Sequence, residues 1–132
     1  MVLVDTSAWV EILKRGGRVP TEHELASNSV VTCPPVIQEV LQGIRDERAF
    51  REIRDAMLSF PIVESPMDIE VFDEAAGIYR TARRAGLTVR SAMDCLVAAC
   101  ALRHGLPVLH RDRDYELIAR VTRLETRRIG PL

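Results

Sequence analysis

Four acidic residues, Asp5, Glu39, Asp94 and Asp112, have the types and the placement to do chemistry together. Asp5 follows the apolar run Met1 to Val4, and Asp112 comes soon after the apolar run Leu106 to Leu109. Glu39 and Asp94 fall in the opening turns of helices that begin at Pro34-Pro35 and at Ser91. In a parallel α/β sheet, strand ends and the helix starts that follow them share one edge, and ligands bind in the crevice there. Each acid alone has a structural explanation: Asp5 is a favoured helix cap, and Glu39 suits the positive end of a helix. Together they pose an electrostatic problem. Two carboxylates about 4 Å apart repel by about 4 kcal/mol at an effective dielectric of roughly 20. Four ionised in one pocket need a compensating cation, or some must hold protons. Hard oxygen donors without histidine or thiolate select Mg²⁺ or Mn²⁺. A metal so held activates water and stabilises the leaving oxygen of a phosphodiester. The chemistry expected is metal-dependent nuclease hydrolysis with no side-chain nucleophile.

The elements that must position these acids are readable around them. Ser91 to Tyr115 is a helix, a stop, a buried strand and then exposed acids. Ser91 with Asp94 three residues on has capping-box spacing, Gly105 suits a left-handed helix end and Pro107 blocks continuation. Leu106 to Leu109 has the continuous apolar character of a parallel strand covered on both faces. Asp112 and Asp114 follow at its carboxyl end. Earlier in the chain, Met1 to Val4, Ser29 to Thr32 and Ile62-Val63 read as strands, and Leu124 to Ile129 as the last one. Helices are expected following Asp5-Thr6-Ser7 to about Leu13, from Pro34 to about Gly43, from Asp46 to about Phe60, from about Met67 to Arg84 and from Tyr115 to Val121. Pro20 to Asn28 is a polar segment with room for a short helical turn. Arg45, Arg48, Arg51 and Arg54 form a stripe, but the interleaved Glu47, Glu52 and Asp55 favour a solvated face over an RNA track. Strands alternating with helices imply a three-layer α/β/α sandwich around a central parallel sheet of four or five strands.

Composition narrows the function classes. The 132 residues read as one domain, 1–132, able to bury a core without staples. With 18 basic against 19 acidic residues, tight non-specific binding to duplex nucleic acid is not expected. The three cysteines, Cys33, Cys95 and Cys100, lack metal-ligand spacing. With no apolar run of membrane-spanning length and no signal-peptide pattern, a cytoplasmic protein without membrane attachment is expected.

VDTSAWVEIL, PPVIQEVLQGI, AMDCLVAACALRHGLPVLHRDRDY and IARVTRLETRRI together resemble a PIN-domain ribonuclease, specifically the VapC-type toxins of bacterial toxin–antitoxin modules. The likeness spans essentially the whole chain. It implies a parallel sheet of order 3-2-1-4-5 and places the family's catalytic and metal-holding quartet on Asp5, Glu39, Asp94 and Asp112, with Asp114 as an assisting acid. It puts a hydroxyl that bonds a carboxylate or the substrate phosphate at Thr6 or Ser7. It further implies an RNA substrate, often a tRNA or rRNA loop, a Mg²⁺ or Mn²⁺ cofactor, a cognate VapB-type antitoxin and a homodimer. Arg111 and Arg113 are the arginines best placed to grip RNA. His110 stands where many members have Thr or Ser, and reads as a supporting histidine rather than a ligand.

Two rival classes are weaker. A PIN-like scaffold that binds RNA or a partner without catalysis leaves the complete quartet without a purpose. A dehalogenase-type phosphatase needs an Asp where Ser7 stands, and a phospho-acceptor receiver domain needs a late lysine, whereas Lys14 is the only lysine.

Overall fold

The computed structural model describes residues 1–16 and 29–129. The polar segment Pro20 to Asn28 lies outside them. In chain order the elements are β1 (Val2–Val4), α1 (Thr6–Gly16), β2 (Val30–Val31), α2 (Pro34–Gln42), α3 (Glu47–Ser59), α4 (Ile69–Arg84), α5 (Ala92–Arg103), β3 (Val108–His110), α6 (Arg113–Val121) and β4 (Thr126–Arg128).

The four strands form one parallel sheet of order β2-β1-β3-β4. Val2, Leu3 and Val4 point alternately to opposite faces, yet all three are buried. Both faces are therefore covered by helices, the α/β/α arrangement expected. The predicted strand at Ile62-Val63 shrinks to a single parallel bridge between Thr32 and Ile62 beside β2. Pro61 and Pro66 bracket it, and Glu64 turns the chain away in the left-handed region at φ 57°. With that bridge counted, the sheet runs third, second, first, fourth, fifth along its width. β4 ends the other side with Arg127 and Arg128 exposed, charges that blunt an edge strand.

α5 is the central helix. Cys95, Val97, Ala98, Ala99, Cys100 and Ala101 are all buried, and it packs along α4, where Ala75, Ile78 and Ala82 are buried. Small residues on both sides let the helices approach closely. α5 ends as its sequence foretold: Gly105 sits at φ 62°, the Leu106 N–H bonds the Ala101 carbonyl at 2.9 Å, and the Gly105 N–H bonds that of Leu102 at 3.3 Å. This pair of bonds turns the chain sharply from α5 into β3. The three cysteines are free thiols and buried. No helix among the described residues is long and apolar enough to cross a membrane.

This packing predicts that Ala98→Leu, at a site with no exposure, costs about 1–3 kcal/mol by overpacking. Equilibrium urea unfolding reads it out. Unchanged stability would mean that α5 is not tightly enclosed.

Candidate functional site

Asp5 is the first residue beyond β1 and caps α1. Its Oδ2 accepts the Ser7 N–H at 3.0 Å and the Ser7 hydroxyl at 2.6 Å. Its Oδ1 accepts the Tyr115 hydroxyl at 2.6 Å. The capping and the site readings of Asp5 are thus compatible, because one carboxylate does both. Ser7 also accepts the Arg111 N–H at 2.9 Å, so this hydroxyl ties the end of β1 to the end of β3. Thr6 instead donates to Glu39 Oε1 at 3.0 Å. Both hydroxyls named from the sequence are therefore spent on carboxylates.

At the start of α5 the structure corrects one expectation. Ser91 is the residue before the helix, but its side chain makes no cap bond. The Ser91 N–H does not go back to Asp94. It is taken, with the Arg90 N–H, by Asp114 Oδ2 at 3.0 and 3.1 Å. An acid brought from α6 has replaced the local acid of the capping box, and Asp94 is left to face the other carboxylates. Asp94 is buried, and its Oδ2 has no hydrogen-bond partner among the described residues.

Asp112 caps α6 through Oδ1, which accepts the Asp114 N–H at 2.9 Å. Asp114 is buried, and its Oδ1 has no partner among the described residues. One carboxylate oxygen each from Asp94, Asp112 and Asp114 lie within 4.8 Å of one another. Asp5 and Glu39 are close enough for their charges to act on this group. The structure thus brings all five predicted acids to the carboxyl edge of the sheet, with Asp114 in the tightest cluster.

The crowding has a measurable consequence. Burial, then the charge of Asp5, the adjacent Asp114 carboxyl and the charge of Asp112, push Asp94 up to about 9. Burial also raises Glu39, against the pull of the Thr6 hydroxyl, and the charges of Asp5 and Asp112 raise it further. His110 is fully buried at the end of β3; its Nδ1 accepts the Asp112 N–H at 3.2 Å, and burial lowers its pKa. A neutral ring with its lone pair engaged is no cation ligand. What remains is a set of hard oxygens, two of them buried without partners, carrying more negative charge than the pocket tolerates. These residues fit a divalent cation of the Mg²⁺ or Mn²⁺ kind.

Of the two predicted RNA-gripping arginines, Arg111 pairs with Glu11 at 3.1 Å. Arg113 lines a cavity of about 350 Å³ that Asp114 also borders. A second cavity of about 510 Å³ lies between α4 and α5, and its wall is mostly apolar, including Phe72, Tyr79, Met93 and Leu96.

The model of the PIN domain family matches residues 2–121. The chain belongs to the PIN-domain family. It is 42% identical over 130 residues to ribonuclease VapC11 of Mycobacterium tuberculosis, covering 95% of this chain and 96% of that one. Solved structures with the same fold include VapBC-1 from nontypeable Haemophilus influenzae, with TM-score 0.71, 15% identity and coverage of 97% and 98% of the two chains. VapBC-5, a toxin–antitoxin system of M. tuberculosis, superimposes with TM-score 0.69 at 17% identity and the same coverage.

Two features of this PIN domain were not assigned from the sequence: the Tyr115 hydroxyl on Asp5, and the Asp114 grip on two backbone N–H groups. Tyr115 stood in the RDRDY motif, but nothing in the pattern separates a core tyrosine from one bonded to an acid 110 positions earlier.

The raised Asp94 makes the cation-free PIN domain pH-sensitive. The unfolded chain releases this proton near the ordinary value of 3.8, while the folded chain keeps it to about 9. The folded state binds more protons between those limits, so stability falls as pH rises through them, by up to about 1.4 kcal/mol per pH unit for one proton. Unfolding in EDTA across this range is expected to show that decline. Asp94→Asn should flatten it and raise stability at pH 8; a variant with the same slope as the parent would refute the assignment.

Proposed function

We propose that this PIN domain is a divalent-cation-dependent endoribonuclease that acts as the toxin of a toxin–antitoxin pair, hydrolysing RNA phosphodiester bonds in a tRNA or rRNA. The observation that carries the reading is the five-acid cluster at the sheet edge, with Asp94 held up at about 9 by burial and its neighbours. The 42% identity to VapC11, a named ribonuclease, supports the choice of RNA. Asp94, Asp112 and Asp114 would hold the cation, with Asp5 and Glu39 beside them. When bound, it would supply Lewis-acid activation of water and offset charge on the leaving oxygen. The protein's own part is positioning and proton handling. Tyr115 and Ser7 fix both oxygens of Asp5. Thr6 fixes one oxygen of Glu39, and this half-buried acid, raised above its ordinary value, is suited to take the proton of the attacking water.

A cognate antitoxin of the VapB type and a homodimer belong to the same reading. The apolar groove between α4 and α5 supports the second copy as its cover. Along the exposed side of α4, Glu70 and Asp73 precede Arg80 and Arg83. Pairing two copies of α4 antiparallel about Ala76-Gly77 sets Asp73 against Arg80 and Glu70 against Arg83, the self-complementarity that a two-fold interface requires.

The test is cleavage of total cellular RNA by purified protein with Mg²⁺ or Mn²⁺. Cutting at one or a few sites is expected, abolished by EDTA and by Asp94→Asn, and slowed about 10²–10⁴-fold by Glu39→Gln. Cutting that survives EDTA and Asp94→Asn would overturn the mechanism, and no cutting by folded, antitoxin-free protein would overturn the activity.

A further inference from the structure

A polyanion approaching five clustered carboxylates is repelled, so its binding must come from cations placed beside them. Several arginines are already paired with acids. Arg111 pairs with Glu11, Arg128 with Glu116, and Arg103 with Glu64 and Glu74. On α3, Arg48, Arg51 and Arg54 pair with Glu52, Glu47 and Asp55. Of the arginines without an ion-pair partner among the described residues, Arg90, Arg113 and Arg120 are exposed and lie beside Asp114. They converge on one cavity of about 350 Å³, completed by Gly86, Leu87, Thr88, Asp114 and Leu117. Asp114 is the only acid in that wall, and its Oδ2 faces the backbone N–H groups of Arg90 and Ser91. The cavity therefore shares a wall with the acid cluster while carrying the opposite charge.

We propose that the cavity walled by Arg90, Arg113 and Arg120 is a phosphate subsite, holding an RNA backbone phosphate next to the bond that the acids address. This rests on the RNA-cleavage reading above. Guanidinium forks bind phosphate oxygens in pairs, so the subsite fixes the register of the strand as well as adding affinity. Arg90 and Arg120 come from the loop before α5 and the last turn of α6, and neither is close in sequence to the other.

Binding of a short labelled single-stranded RNA in the uncut Asp94→Asn background tests it. The double variant Arg90→Ala/Arg120→Ala should bind about tenfold more weakly, and its salt slope should fall by about 0.7, the share of the one phosphate no longer neutralised. Lysines at both positions should keep the slope, and Arg48→Ala/Arg51→Ala on α3 should change nothing. With Asp94 restored, the Ala pair should raise KM for RNA while kcat stays within about twofold, as expected for uniform binding. Unchanged affinity and slope in the Ala pair would overturn the subsite, even where the parent cuts RNA. Arginine-dependent binding without cleavage by the parent would uphold the subsite and reject the nuclease reading.

Discussion

Repulsion between carboxylates is the constraint around which this PIN domain is built. Asp5, Glu39, Asp94, Asp112 and Asp114 are brought together at one edge of a narrow sheet, where burial first and then the neighbouring carboxylates raise Asp94. A chain would not gather such charges by itself, so other contacts must hold them. Many are backbone amides. Asp5 takes the Ser7 N–H, Asp112 takes that of Asp114, and Asp114 takes those of Arg90 and Ser91. Each of these bonds fixes an acid to the main chain at a loop or helix start, where rotation would break the fold's own connections.

Helix ends make part of the compensation. α1, α5 and α6 begin near these acids, and each helix N-terminus carries the equivalent of about half a positive charge. Three such ends offset about one and a half negative charges of five. The arithmetic favours a deficit that a divalent cation would fill, and in its absence a proton on Asp94 makes up part of the difference. The same balance explains why two hydroxyls, Thr6 and Ser7, and the buried Tyr115 phenol all donate toward carboxylates.

The layered architecture was legible because parallel strands buried on both sides announce themselves as continuous apolar runs, as at Met1–Val4 and Leu106–Leu109. Helix boundaries followed from Pro34-Pro35, Asp46 and Gly105, residues whose backbone preferences are strong and local. The strand at Ile62-Val63 was overread: flanking prolines and the left-handed Glu64 leave only one bridge. At the site, residue types placed after strands and at helix starts put Asp5, Glu39, Asp94 and Asp112 at one edge, and the family resemblance added Asp114 beside them. Their partners were hidden, because the contacts of Asp114 with Arg90 and Ser91, and of Tyr115 with Asp5, join positions far apart in the chain. The spacing of Ser91 and Asp94 pointed to a local cap, but tertiary structure supplied a different acid and released Asp94 for the cluster.

An ion entering this cluster must displace the proton that Asp94 holds. Titrating Mn²⁺ calorimetrically into the protein at pH 7, in buffers of different ionisation enthalpy, measures how many protons leave as the ion binds. Because Asp94 holds its proton up to about 9, the account predicts release of close to one proton per ion bound, and release near zero for Asp94→Asn with much weaker binding. Tight binding with no proton release in the parent, or no binding at all, would contradict it.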